Sequence, residues 1–400
     1  MESAKHKGIE LITNTLVESV TGEAGNFRVT LERKPWFVDI DKCSGCGTCV
    51  DACPIVVPHE WERDLKPRRA IYAMFPQAAP LKYMIDREHC VECGLCMQAC
   101  QLDAIDLSQE SRTLEMDVGA IVVATGGKVF DPSDLPQFHY GDYDNVVTNM
   151  EFERICNAGG PTEGELVRPD GKHIKSVAFV QCVGSRDLKH NSWCSFFCCM
   201  ASVKGGRLVM EHAPGADVTV FFNDLRACGK GFEELYRRSV DDGMKFVRAI
   251  PSVHLNRTTQ NPIVVYEDPE VGGIARKEVD LVVLAGGLEP SEGTRNVASL
   301  LGLDLDSRGF ISERHPTDGM AETFRKGIFI AGVCQGPKDI PDAATHGSAA
   351  ASKVGTFMSR GNTCHIHDMA PTQRESLGTM KPVSPPAPEA PAPDYGESHG

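Results

Sequence analysis

Val118-Gly119-Ala120-Ile121-Val122-Val123-Ala124-Thr125-Gly126-Gly127 is a continuous apolar run closed by glycines, the pattern of a buried strand feeding a tight loop. Val279-Asp280-Leu281-Val282-Val283-Leu284-Ala285-Gly286-Gly287 is a near-copy, and Gly327-Ile328-Phe329-Ile330-Ala331-Gly332 is a third variant. Such endings suggest related α/β units built on one plan; three unrelated buried strands are the plainer reading. Between them, residues 175–183 and 218–222 read as further core strands. Residues 232–241 read as a helix with apolar positions three and four apart, and 343–358 as a small-residue helix that packs closely on a neighbour. Upstream, residues 8–31 alternate apolar and polar around Gly22 and Gly25 (Ile9, Leu11, then Phe27, Val29, Leu31), predicting short strands joined by a turn. From about Gly361 the chain turns polar, and its Pro/Ala-rich end at 382–391 predicts disorder, because it cannot pack a core.

The 400 residues are 41% hydrophobic, enough for a large core, and a length prior points to about two or three domains. The net charge of −14 argues against nucleic acid or anionic membranes as partners and suits docking to basic protein patches. No stretch approaches the roughly 18 apolar residues of a membrane span. The N-terminus, Met1-Glu2-Ser3-Ala4-Lys5-His6-Lys7, lacks the apolar segment of a signal peptide. The expectation is a cytoplasmic protein.

Sixteen cysteines in such a chain fit metal-binding thiolates better than a disulfide framework, because they cluster at ligand spacing. Cys43-x-x-Cys46-x-x-Cys49-x-x-x-Cys53-Pro54 matches the bacterial ferredoxin run, and Cys90-x-x-Cys93-x-x-Cys96-x-x-x-Cys100 repeats it with Gln101 in the proline position. Three close thiolates wrap one face of a 4Fe–4S cubane, while Gly45, Gly47 and Gly94 let the backbone turn tightly. The fourth cysteine of each run reaches the other cluster. Cys43, Cys46, Cys49 and Cys100 are therefore assigned to one cluster, and Cys90, Cys93, Cys96 and Cys53 to the other. A zinc site is the alternative, but this spacing is not a usual zinc arrangement. The segment between the runs, with His59, Trp61, Arg68, Arg69 and Tyr72, reads as a solvated insertion rather than a docking surface or cluster shield.

A third group, Cys182 with Cys194-x-x-x-Cys198-Cys199, is open between buried structural thiols, a redox dithiol and a third cluster. The dithiol is disfavoured, since adjacent cysteines form only strained disulfides. Gln181-Cys182-Val183-Gly184-Ser185-Arg186 stands where a nucleotide-binding unit would carry G-x-G-x-x-G, so standard NAD(P)H binding is not expected. Cys156, Cys228 and Cys364 read as ordinary cysteines. Cys364 with His365 and His367 is a weak metal candidate, and Cys334 a candidate thiol near a cofactor.

These residues resemble the A-type subunits of heterodisulfide reductase, a flavoprotein family with a thioredoxin-reductase-like core and an inserted ferredoxin domain. The matching stretches are Arg33-Lys34-Pro35, residues 38–43 and 118–126, Phe152-Glu153-Arg154, residues 160–164, 181–187 and 229–234, and residues 335–342. The resemblance implies an α/β fold of two Rossmann-type lobes with an inserted α+β dicluster ferredoxin domain. It implies a remnant of the FAD-binding lobe at 1–34, the ferredoxin domain at 35–110, and a return to the FAD lobe and linker at 111–172. An NAD(P)-domain-like unit with a third cluster follows at 173–290, then the end of the FAD lobe at 291–360 and a tail at 361–400. It implies that Cys182, Cys194, Cys198 and Cys199 hold that third cluster. It also implies that FAD lies against Thr125, Gly126, Gly332, Lys338, Asp339, Ile340 and Pro341. There a helix starting after Pro341-Asp342 would face the flavin, and Lys338 would steady its negative charge.

Members of that family begin with a strand and a G-x-G-x-x-G loop that cradles FAD, and no such motif stands near this start. The expectation is a shortened gene model, a fragment, or a natural split with the cradle on another chain. Longer members carry a further C-terminal ferredoxin domain, here replaced by the Pro/Ala tail, and Cys228 stands where an aromatic residue is expected. The implied function is an oxidoreductase subunit that passes electrons between FAD, clusters, ferredoxin and disulfide-reducing partners. Those partners are B- and C-type subunits, with ferredoxin or a hydrogenase or dehydrogenase as donor. The alternative is a flavin-free iron–sulfur adaptor. An NADPH-dependent amidotransferase-type reductase partner is weakened by the missing glycines.

Overall fold

The computed structural model describes residues 3–168 and 170–359. Residues 3–12 contribute one 3-10 turn, Ser3–Lys5. From Thr13 the chain forms one compact unit.

That unit opens with a hairpin, Thr15–Glu23 against Asn26–Arg33. Gly22 takes a φ of +86°, and a Cβ there would stand 2.3 Å from the Asn26 carbonyl oxygen, so the turn requires glycine. Ile9 and Leu11, expected in the first strand, lie outside it and are exposed, because the cross-strand ladder begins only at the Thr15–Arg33 pair. The second strand pairs on its other edge with Arg112–Val118, running from Phe27 opposite Val118 to Arg33 opposite Arg112. Residues 34–111 therefore leave and re-enter the sheet at neighbouring positions, which lets a whole domain be inserted without disturbing the core.

The run at 118–127 is not one buried strand. Arg112–Val118 ends in the antiparallel sheet, Ile121–Val123 joins a different, parallel pair with Ile328–Ile330, and Gly127–Val129 pairs with Leu288–Pro290. Gly119 and Ala120 make the break, and Val122 is 45% exposed. Only Gly119 and Val123 of the run are buried, because backbone pairing divides it among three sheets.

The centre of the molecule is a five-stranded sheet in the order Val146–Thr148, Leu281–Gly286, Ser176–Val183, Asp217–Phe222, Lys245–Arg248. Every neighbouring pair is parallel. Leu281–Gly286 is buried throughout, so its apolar run needs no alternation. Val282 and Leu284 face one core layer with Val180, Phe221, Val253 and Val264; Leu281 and Val283 face the other with Val177, Phe179, Phe152 and Val209. Helices Asn149–Ile155 and Cys198–His212 cover the second face. The antiparallel strands Ser252–Leu255 and Pro262–Asp268 cover the first.

From Ser176–Val183 the chain steps outward to Lys245–Arg248, then returns to Leu281–Gly286 on the other side. The strand order reverses between those two central strands, which opens a crevice at their C-terminal ends.

The inserted segment between the cysteine runs is only partly solvated. His59, Glu62 and Tyr72 are buried, and Arg68 pairs with Glu60 at 2.7 Å and Asp86 at 2.8 Å. Trp61 and Glu60 remain exposed. Glu62 receives both ends of the Arg154 guanidinium, at 2.9 and 3.0 Å, which fastens the insertion to the helix Asn149–Ile155. Among the described residues no helix is long and apolar enough to cross a membrane.

Candidate metal centres

Short helices Thr48–Ala52 and Leu95–Ala99 follow the tight turns of the first two cysteines of each run and carry the third, Cys49 and Cys96; each is capped by a left-handed glycine, Gly47 at φ +89° and Gly94 at +75°. The helices pack side by side, so Cys53 and Cys100 at their ends cross over. Cys43, Cys46, Cys49 and Cys100 line one cavity of about 370 Å³ with Val38, Tyr83 and Ile105. Cys53, Cys90, Cys93 and Cys96 line another with Ile71 and Ile85. Burial pushes the Cys49 thiol up to about 11, and Cys43, Cys100 and Cys46 add repulsion. Burial likewise raises Cys96, with repulsion from Cys90, Cys53 and Cys93. Positive iron would offset both effects, since a coordinated thiol deprotonates outright. Among the described residues no three His, Cys, Asp or Glu side chains converge tightly enough for a single metal ion. The quartets suit a polynuclear centre better than one zinc.

The third quartet stands at the crevice. Cys182 lies near the C-terminal end of the central strand at φ +60°, and Cys198 and Cys199 open the helix Cys198–His212. Burial pushes Cys182 up to about 11, with repulsion from Cys199 and Cys194. A hydrogen bond with Cys199, then burial, raises Cys198. Cys199 is held low by that same bond, by the Arg226 backbone N–H and by the Arg186 and Arg226 charges, against its burial. All four thiols are thus within electrostatic reach of one another, and the helix start adds a positive end toward two of them. Nearby Gln181 and Ser202 are buried with polar side-chain atoms that have no partner in the chain. A buried polar guest fits such a setting.

The loop carrying Cys194 is fastened by groups that sequence reasoning passed over. Ser185 Oγ donates to the Trp193 carbonyl at 2.8 Å, Ser195 Oγ accepts from the Leu288 N–H at 2.7 Å, and Asn191 Nδ2 donates to the Gly184 carbonyl at 2.7 Å. The only signal was the density of Ser and Asn around the cysteines. Gly184 itself has a φ of +64°, and an added Cβ would stand 2.2 Å from a Phe130 ring carbon. Gly184→Ala is expected to cost about 1–3 kcal/mol in chemical denaturation, and to weaken metal retention at the third quartet alone. Wild-type stability in that variant would contradict this reading of the loop.

The flavin candidates lie at the C-terminal ends of the parallel pair Ile121–Val123 and Ile328–Ile330. Gly126 and Gly332, at φ +70° and +74°, have nothing within 4 Å of an added Cβ, so their backbones are open to a ligand. Other groups there are already engaged. The Thr125 hydroxyl is 2.7 Å from that of Thr294, and the Gly332 N–H donates to His346 Nδ1 at 3.1 Å. Lys338 is half-buried, bonds Gln335, and is pushed down by burial. The helix starts at Ile340, before Pro341 rather than after it, because the Asp339 carboxylate caps it by accepting from the Asp342 N–H at 2.8 Å. Ile340 is 86% exposed. The residues fit one wall of a flavin cradle. Of the helix Ile340–Ser359, only His346 and Ala350 are buried, so the close packing expected of it covers one side only.

Cys334 is buried, its thiol donating to the Val123 and Ala331 carbonyls at 3.3 and 3.2 Å. Cys156 is half-buried and pushed up to about 12 by burial, and Cys228 is exposed. Cys364, His365, His367 and the Pro/Ala tail lie outside the described residues.

A family model described as a 4Fe-4S dicluster domain matches residues 42–104, so the chain carries an iron–sulfur domain in its α/β fold. The chain is 48% identical over 365 residues to the A-type subunit of the H(2)/formate:CoB-CoM heterodisulfide,ferredoxin reductase of Methanococcus maripaludis, covering 90% of this chain and 56% of that one. It is 46% identical over 365 residues to an iron-sulfur A-type subunit of the CoB--CoM heterodisulfide reductase of Methanopyrus kandleri, with the same shares. Similar solved structures include the thioredoxin reductase of Lactococcus lactis, at 17% identity, a TM-score of 0.39, and 73% and 86% coverage of this and that chain. The chain spans about half the length of the curated relatives it matches (56%). Over that shared stretch, the chain is similar to the A-type subunits of heterodisulfide reductases.

Proposed function

We propose that this chain is an electron-transfer subunit of a heterodisulfide reductase-type oxidoreductase, with three 4Fe–4S clusters on its three cysteine quartets. The observation that carries the reading is the sorting of twelve cysteines into three groups, two crossed as in ferredoxins and one at the strand-order reversal. FAD, when bound, supplies exchange between an electron pair and single electrons. Gly126 and Gly332 give it room, and Asp339 holds the start of the helix that would face it. Lys338 stands half-buried nearby. The domain partition expected from the sequence is proposed with this reading, as are B- and C-type subunits, ferredoxin and a hydrogenase or dehydrogenase donor. So many thiolate ligands suit a reducing, cytoplasmic compartment.

The flavin-free adaptor keeps one observation in its favour: the Thr125 hydroxyl and Gly332 N–H already have partners within the chain. Anaerobic purification with an absorption spectrum and iron analysis separates the two. The flavoprotein reading expects flavin bands over the cluster absorption and about twelve irons per chain. Clusters without flavin leave the adaptor, and a colourless or zinc-loaded protein removes both.

A further inference from the structure

We infer that Arg186 sets the reduction potential of the third centre, acting as a fixed positive charge beside Cys182 and Cys199, with Asp224 as its partial counterweight. The inference rests on the reading that the third quartet holds a cluster. Arg186 follows Cys182 by four residues in the loop at the crevice. Its backbone N–H donates to the Trp193 carbonyl at 2.9 Å, and its φ is +58°, an uncommon conformation for arginine. One guanidinium nitrogen lies 3.6 Å from Asp224 Oδ2, while NH1 is buried with no close acceptor and the side chain reaches toward the Cys182 sulfur.

A buried cationic donor without an acceptor is costly, and arginine cannot shed its proton to escape the cost. The negative groups at hand are the thiolates of the quartet. The Cys199 sulfur also lies 4.0 Å from the Asp224 carbonyl oxygen, which puts the carboxylate's own segment against the site. Arg226 Nε approaches the same Asp224 oxygen at 3.9 Å. The side chain of Arg186 is 22% exposed and that of Arg226 is 42%, so solvent screens Arg226 more.

Taking up one electron makes a cluster more negative, and a nearby fixed cation stabilises that state. Arg186 should therefore raise the potential of the third centre, and Asp224 should lower it. Arg186 is a positioning charge here, not a catalytic residue.

The test is a potentiometric titration, followed by electron paramagnetic resonance, of the full chain reconstituted anaerobically with iron and sulfide. The third centre's signal is identified as the one lost in Cys194→Ala/Cys198→Ala. Arg186→Gln is expected to shift its oxidised-to-reduced ratio at fixed potential at least tenfold toward oxidised, about 59 mV more negative. Arg226→Gln should shift it the same way by less, Asp224→Asn the opposite way, and Arg186→Lys should recover most of the potential. An unshifted potential in Arg186→Gln at full iron content overturns the inference and leaves the cluster intact. Should Arg186→Gln lose the third centre's iron, the sign of the Asp224→Asn shift decides. A wild-type chain without a third signal, holding about eight irons, overturns the cluster reading itself, and the inference with it.

Discussion

Alanine at both Cys194 and Cys198 is expected to remove about four irons per chain and leave about eight. The quartet draws on three elements: the end of the central strand for Cys182, the following loop for Cys194, and the helix start for Cys198 and Cys199. Two remaining thiols on separate elements cannot close around a cubane. The ferredoxin-type quartets lie wholly within residues 43–100 and share no ligand with it, so their iron should persist. Iron and sulfide analysis of wild type and variant, with far-ultraviolet circular dichroism to confirm folding, measures the difference. Equal iron in the two proteins would sink the third-centre assignment.

Arg154→Ala should be the most destabilising single surface-to-core change in the insertion's attachment, by about 3–5 kcal/mol. Glu62 is 2% exposed, and the bidentate Arg154 guanidinium is its hydrogen-bond partner. Removing arginine strands a carboxylate in the interior, which costs far more than the pair's net contribution. Urea denaturation reads the loss. The matched double change Glu62→Leu/Arg154→Met removes the stranded charge and should recover most of it. If the double variant were as unstable as Arg154→Ala, packing rather than charge would be the cause.

The grouping of the eight ferredoxin-type cysteines into two cavities was legible in the chain itself because ferredoxin spacing is local. Two cysteine runs, each with glycines that allow left-handed turns, specify which thiols crowd one another almost without help from elsewhere. The core strands at 176–183, 217–222 and 281–286 were legible for a similar reason: fully buried parallel strands need unbroken apolar runs. The apolar run at 118–127 is neither one strand nor buried throughout, because apolarity says nothing about which strand lies alongside. Ile121–Val123 found its partner some two hundred residues away in Ile328–Ile330.

The charges at 59–72 look solvated in isolation, and several are; only Arg154, from a distant helix, and Asp86 bring Glu62 and Arg68 inside. What the amino-acid order determined was therefore the chemistry of the thiols, their local spacing and the positions that must be buried. The tertiary structure alone decided that Cys182 meets Cys194, Cys198 and Cys199 at a reversal of strand order, with Arg186 beside them. Sheet pairing joins residues by backbone geometry across any sequence distance, and no local pattern encodes that choice of neighbour.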